Sequence, residues 1–141
     1  MLTSHHNIEG KLTLQQVDAA GNLLHEQVTY NSITTAGRQL VTALFRLNIL
    51  AKEDQDDKIK RISTIHVGRS NKPFSADQTA MQDPVDIVPI DDVQLLPVND
   101  RIMLRLVGEL GVEQGNDALQ EAGLFTEDET PIMYNRVTFD T

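Results

Sequence analysis

The chain contains no cysteine and no tryptophan, and aromatic residues make up only 4% of it. Without cysteine there can be no disulfide, no thiolate metal site and no cysteine nucleophile. So few aromatics leave little material for stacking bases or for a sugar-binding platform. Positive charge is also scarce, with 12 Lys and Arg against 21 Asp and Glu, a net charge of -9 and a pI of about 4.7. Phosphate neutralisation needs clustered Lys and Arg, so neither a nucleic acid nor an anionic membrane surface is expected as a partner. No apolar run approaches the roughly 20 residues of a spanning helix, so membrane insertion is not expected either. The opening Met1-Leu2-Thr3-Ser4-His5-His6 has no basic n-region and no apolar h-region. The expectation is a protein made and folded in a cytoplasm without a signal peptide.

What is present suits one β-rich domain over residues 1–141, with 40% hydrophobic residues to build a core. Ile8, Gly10, Leu12 and Leu14 alternate with Glu9, Lys11, Thr13 and Gln15, the period of a half-buried strand. Asp18 to Asn22 reads as a turn, and Leu24, Glu26, Val28 and Tyr30 alternate along a return strand, giving an N-terminal hairpin over about 8–30. This hairpin either completes the sheet of its own domain or serves as an arm that docks elsewhere.

A helix is predicted over about 34–50, opened by Thr34 or Thr35 as N-cap. Leu40, Val41, Leu44, Phe45 and Leu47 form its apolar stripe, with Arg38 and Arg46 on the polar side. Ala51 to Lys60 is a charged loop. Arg61 to Val67 is a β-branched strand. Val85 to Leu96, interrupted by Pro89 and Pro97, reads as one edge or meandering strand. Asp100 to Leu110, Ala118 to Phe125 and Pro131 to Phe139 complete the set, with a turn at Gly111 to Asp117. The pattern is α+β and mainly β: an antiparallel sheet or sandwich with one principal helix, an N-terminal hairpin and four or five strands after the helix.

Motifs that carry chemistry are missing. His5, His6, His25 and His66 have no zinc-ligand spacing, and no acidic run has the ligand alternation of a calcium loop. Gly68-Arg69-Ser70-Asn71-Lys72 lacks the glycines and the Lys-Ser or Lys-Thr step of a phosphate loop. No serine lies in a Gly-x-Ser-x-Gly turn. No metal, no cofactor and no catalytic residue is therefore expected, and the chain is not expected to be an enzyme.

Four segments carry a resemblance. The first is Asn31-Ser32-Ile33-Thr34-Thr35-Ala36-Gly37-Arg38-Gln39-Leu40. The second is Ile62-Ser63-Thr64-Ile65-His66-Val67-Gly68, followed by Asp77-Gln78-Thr79-Ala80-Met81. The third is Glu121-Ala122-Gly123-Leu124-Phe125, and the fourth is Met133-Tyr134-Asn135-Arg136-Val137-Thr138-Phe139. In order and spacing they resemble the N-terminal module of phage tail-fibre (tail-collar fibre) proteins and related small tail and baseplate proteins of phages and contractile injection systems. That pattern has an Asn, a Thr and a Gly opening a helix, a strand ending in Val-Gly, then Asp-x-Thr-x-Leu, with Met81 here in the Leu place. The positions implied to matter are Asn31, Thr35, Gly37, Val67, Gly68, Asp77, Thr79, Glu121, Gly123, Phe125, Tyr134 and Arg136.

The resemblance implies a structural protein of a virion or injection particle, a fibre or baseplate attachment component. It would work by assembly with copies of itself and with other particle proteins. A collar, capsid-decoration or tail-end role in the same particle is the alternative. A small-ligand or glycan-binding β-barrel, or a hydrolase with two perturbed carboxylates, would be readings of another class. Longer members of the family continue into a fibre shaft, so ending at Thr141 implies a free-standing module. Their Gly-rich loop after Val-Gly is here Arg69-Ser70-Asn71-Lys72.

Three residues pose local questions. Gly37 costs stability at a helix start unless a neighbouring strand crosses closely there. Gly123 suggests either a bulge or close backbone approach, or a simple turn. Arg136 is either semi-buried and paired with Glu121 or an exposed strand arginine.

Overall fold

The computed structural model describes residues 10–49, 61–99, 101–111 and 118–139. The expected charged loop Ala51 to Lys60, positions 112–117 of the expected turn, and Ile8, His5 and His6 lie outside them. The architecture is α+β and mainly β, with antiparallel pairing throughout the described ladders.

Strands β1 (Gly10–Val17) and β2 (Leu23–Ile33) form the N-terminal hairpin, and helix α1 (Thr35–Ile49) follows. Strands β3 (Ile62–Gly68), β4 (Pro84–Pro89), β5 (Asp92–Val98), β6 (Arg101–Val107), β7 (Glu121–Thr126) and β8 (Asn135–Thr138) come after it. One sheet has six strands in the order β1-β2-β8-β7-β3-β4, and β5-β6 form a separate two-stranded sheet.

The turn closing the first hairpin is held by the Asp18 carboxylate, which accepts the backbone N–H of Ala20 and of Asn22, each at 2.9 Å. Gly21 sits in the turn at φ 84°. β2 then serves two partners. Leu23 to Asn31 pair with β1, and Ser32 and Ile33 pair with Arg136 and Asn135 of β8. The hairpin therefore joins its own domain's sheet. Register decides which side is inward: Leu12 faces Thr29 and Leu14 faces Gln27. Leu12 and Leu14 pack against the core cluster of Val67, Leu119, Ala122, Val137 and Phe139. The return strand's apolar side, Leu24, Val28 and Tyr30, is left exposed.

The cluster follows from pairing. Val67, Ala122 and Val137 are cross-strand neighbours on β3, β7 and β8 and so share one face. The other face carries His66 and Gly68 of β3, Glu121, Gly123 and Phe125 of β7, and Arg136 of β8. A second small cluster of Met81, Phe125 and Met133 is buried there.

Two sequence expectations need correction. Val85 to Leu96 is not one strand. β4 ends at Pro89, and the backbone N–H of Ile90 still bonds Ser63 O, whereas that of Asp91 bonds Val107 O. The chain thus changes partner from β3 to β6 within two residues, which makes six strands after the helix among the described residues and not four or five. Pro131 to Phe139 begins as a single bridge between Met133 and Phe125, and regular pairing starts only at Asn135. In α1, Leu40 is buried and Val41 half-buried, but Leu44 is 44% exposed. Arg38 is exposed, and the side chains of Phe45, Arg46 and Leu47 lie outside the description.

Candidate functional site

The region with the most concentrated polar chemistry is the face of β3, β7 and β8 that lies beneath the 69–83 segment. Glu121 opens β7 and Arg136 is the second residue of β8. Arg136 Nε donates to Glu121 Oε2 at 2.8 Å, and neither side chain has any exposure. Both ions are fully removed from water, so the pair persists only because their remaining hydrogen-bonding capacity is filled.

The partners that fill it come from one loop. Glu121 Oε1 accepts the backbone N–H of Asp83 at 2.7 Å, and Oε2 that of Gln82 at 3.0 Å. Arg136 Nη1 donates to Lys72 O at 2.8 Å and to Gln78 Oε1 at 3.3 Å, and Nη2 donates to Ser70 O at 3.4 Å. The carboxylate thus holds the end of the 69–83 segment and the guanidinium holds its beginning and middle. Arg69 and Asp83 add an ion pair of 3.1 Å at its mouth, half-exposed on both sides and of small energetic weight.

Glycines make room for this arrangement. A Cβ on Gly68 would run into Glu121 Oε1 and the carbonyl oxygen of Asp83, so the carboxylate occupies the space a side chain would fill. A Cβ on Gly123 would meet the carbonyl oxygen of Asn135 and the methyl of Met81, 2.9 Å away. Close approach, not a turn, is the reason for that glycine. His66, whose register partner on β7 is Gly123, lays its ring on Phe125 with centroids 3.7 Å apart and planes at 7°. Desolvation by burial lowers the His66 pKa from its ordinary 6.5.

The helix entrance docks beside it. Thr34 is fully buried, and its Oγ1 accepts the Gly37 N–H at 2.9 Å as an N-cap while donating to Met133 O at 2.7 Å. Its backbone N–H donates to Tyr134 O at 3.1 Å, and that of Thr35 to Ala76 O at 2.8 Å. A Cβ on Gly37 would collide with Tyr134 O, so the segment that leads into β8 crosses there. Tyr134 is half-buried, and desolvation raises its phenol pKa above the ordinary value.

Of the sequence-predicted positions, Gly37, Gly68, Glu121, Gly123, Phe125, Tyr134 and Arg136 are brought together around this loop and helix entrance. Val67 lies on the opposite, apolar face. Thr35 contributes its backbone, and Asp77 accepts a hydrogen bond from Ser75 Oγ within the loop. Thr79 is exposed and makes none of these contacts, and Asn31 pairs with Gly10 out on the hairpin. Sequence reasoning missed Gln78, Asn135 and the carbonyls of Ser70 and Lys72. Asn135 Oδ1 accepts the Leu124 N–H at 2.9 Å, a role no sequence pattern marks. Among the described residues, no three His, Asp or Glu side chains are grouped to hold a metal ion. Glu121, Arg136 and the loop's backbone groups are spent on one another, a construction that fixes a loop beside the helix entrance. No family model, curated protein or solved structure matches the chain.

Proposed function

We propose that the protein is a structural component of a phage tail or phage-like contractile injection particle, acting by protein–protein assembly as a fibre or baseplate attachment module. One observation carries the reading. Four segments that resemble the tail-fibre module, spread over residues 31–139, meet in one constellation. The third and fourth supply Glu121 and Arg136, the second supplies Gly68 and the loop they hold, and the first supplies the helix entrance against Tyr134. The pair's hydrogen bonds hold the 69–83 loop against the sheet, and a loop held in one place suits a surface that an assembly partner would contact.

Fractionation of particles from an induced, producing culture tests this. The chain should band with intact particles on a density gradient, in a fixed ratio to the major tail protein by quantitative mass spectrometry. Recovery only in the particle-free fractions, or cleavage of cell-wall glycan by the purified chain, would overturn it.

A further inference from the structure

The β5-β6 hairpin stands apart from the six-stranded sheet, with its two strands packed mainly on each other. Its register places Val93 opposite Leu106, Leu95 opposite Leu104 and Pro97 opposite Ile102. All six residues therefore share one face, and not one of them is polar. Val93, Leu95, Ile102 and Leu104 are 56%, 68%, 79% and 58% exposed. A two-stranded hairpin is marginal in water by itself, and monomers rarely leave so continuous an apolar face open.

We propose that this face packs against the same face of a second copy of the chain, about a two-fold axis. The proposal deepens the assembly reading above and rests on it. Charge selects the occupant. The chain carries -9, so two copies repel each other over most of their surface. Within residues 92–107, however, Asp92 and Asp100 are balanced by Arg101 and Arg105, so this stretch has no net charge. Here two acidic molecules can approach without like charges being buried.

The mode of contact is face to face. Val98 and Arg101 are the last register pair of the ladder, with Asn99 at φ 55° following β5, and are taken as a hydrogen-bonded pair. The next pair, Pro97 with Ile102, is then a non-bonded one, which turns the Pro97 nitrogen to the outer edge of β5. An edge without that donor is a poor template for an added strand. Two rows of three apolar side chains map onto themselves under a two-fold rotation, as an isologous interface requires.

Seven-residue strands are about 23 Å long, and two of them cover less than the ~800 Å² per partner of a standard interface. The contact is accordingly weak in free solution, with a dissociation constant on the order of 10–100 μM. Local concentration in an assembled particle would raise its occupancy.

Sedimentation of the full chain from about 10 to 500 μM, a range set by that affinity, should show the mass rising from 15.7 kDa toward twice that value. Leu95→Arg and Ile102→Arg, both at strongly exposed positions, should each weaken association at least tenfold with an unchanged circular dichroism spectrum. Leu95→Cys, which keeps the face apolar, introduces the chain's only thiol. A short thiol-specific cross-linker should then give a covalent dimer, and Thr13→Cys should not.

A wild-type chain that stays monomeric throughout overturns the proposal. So does a monomer in which the Leu95→Cys thiol resists a small thiol reagent at low concentration, because another part of the same chain then covers the face. If the chain self-associates but the Arg variants and the cross-linking do not implicate the hairpin, this surface is wrong and assembly stands on another. If the hairpin dimer forms but the chain never bands with particles, the particle reading fails alone.

Discussion

Arg136 and Glu121, on neighbouring strands, form a 2.8 Å ion pair from which water is fully excluded, and between them they hold both ends of the 69–83 segment. Removing one partner strands the other as a buried, uncompensated charge. Glu121→Ala or Arg136→Ala should therefore cost about 3–5 kcal/mol, measured by urea unfolding. The double variant should cost less than the two singles summed, because neither ion is then left alone. It should still be nicked by protease between 69 and 83 faster than wild type. Equal proteolysis rates would mean the loop is held by something other than this pair.

Gly37 gives a prediction whose sign opposes helix propensity. Glycine inside a helix is worse than alanine by about 1 kcal/mol. At Gly37, though, an added methyl meets the Tyr134 carbonyl oxygen, which is backbone and cannot swing away. Gly37→Ala should therefore destabilise by about 1–3 kcal/mol, as overpacking does. A higher melting temperature for the variant would show that the helix entrance can shift off the Tyr134 segment.

Residues of the site and of the fold were legible in the sequence to different degrees. Strand alternation around Leu12 and Leu14, the Thr cap and the single helix were legible because each is a local pattern with a fixed period or offset. The Glu121–Arg136 pair was legible only as one of two alternatives, since an alternating arginine reads the same whether it faces water or a carboxylate. The break at Ile90-Asp91 was not legible, because two edge strands separated by two residues have the composition of one irregular strand. Nor were Ser70 O and Lys72 O, which bind Arg136 through backbone and so leave no mark on residue type. The exposed side of β2 was misleading for a related reason. Leu24, Val28 and Tyr30 look like a core face, but the register set by β1 turns Thr29 and Gln27 inward with Leu12 and Leu14.

Thr34 separates capping from burial. Its hydroxyl accepts from Gly37 and donates to Met133 O, and the residue is wholly enclosed. Thr34→Ser keeps both bonds and should lose about 1 kcal/mol, roughly the worth of the buried methyl. Thr34→Val keeps the shape and loses both bonds, leaving the helix N–H and the Met133 carbonyl unpaired, and should lose about 2–4 kcal/mol. Thermal melts of the two variants side by side decide whether the hydroxyl or the methyl matters more. A loss in Thr34→Ser with none in Thr34→Val would assign the position to packing alone.

His66 supplies a pH dependence with a definite sign. Burial holds its folded pKa below the ordinary 6.5, while in the unfolded chain it titrates near about 6.5. Between those two values the unfolded state binds more protons, so stability falls as pH is lowered from about 6.5 and levels off below the folded pKa. Its cross-strand neighbours Ile87 and Gly123 carry no charge that could reverse this. His66→Phe keeps a ring on Phe125 and removes the titration. The difference between wild-type and variant unfolding free energies should therefore slope between pH 7 and 5, with the variant relatively more stable at the acid end. The rest of the sequence is common to both chains. A slope of the opposite sign would mean that the imidazolium is held by the face of Phe125 more strongly than burial disfavours it.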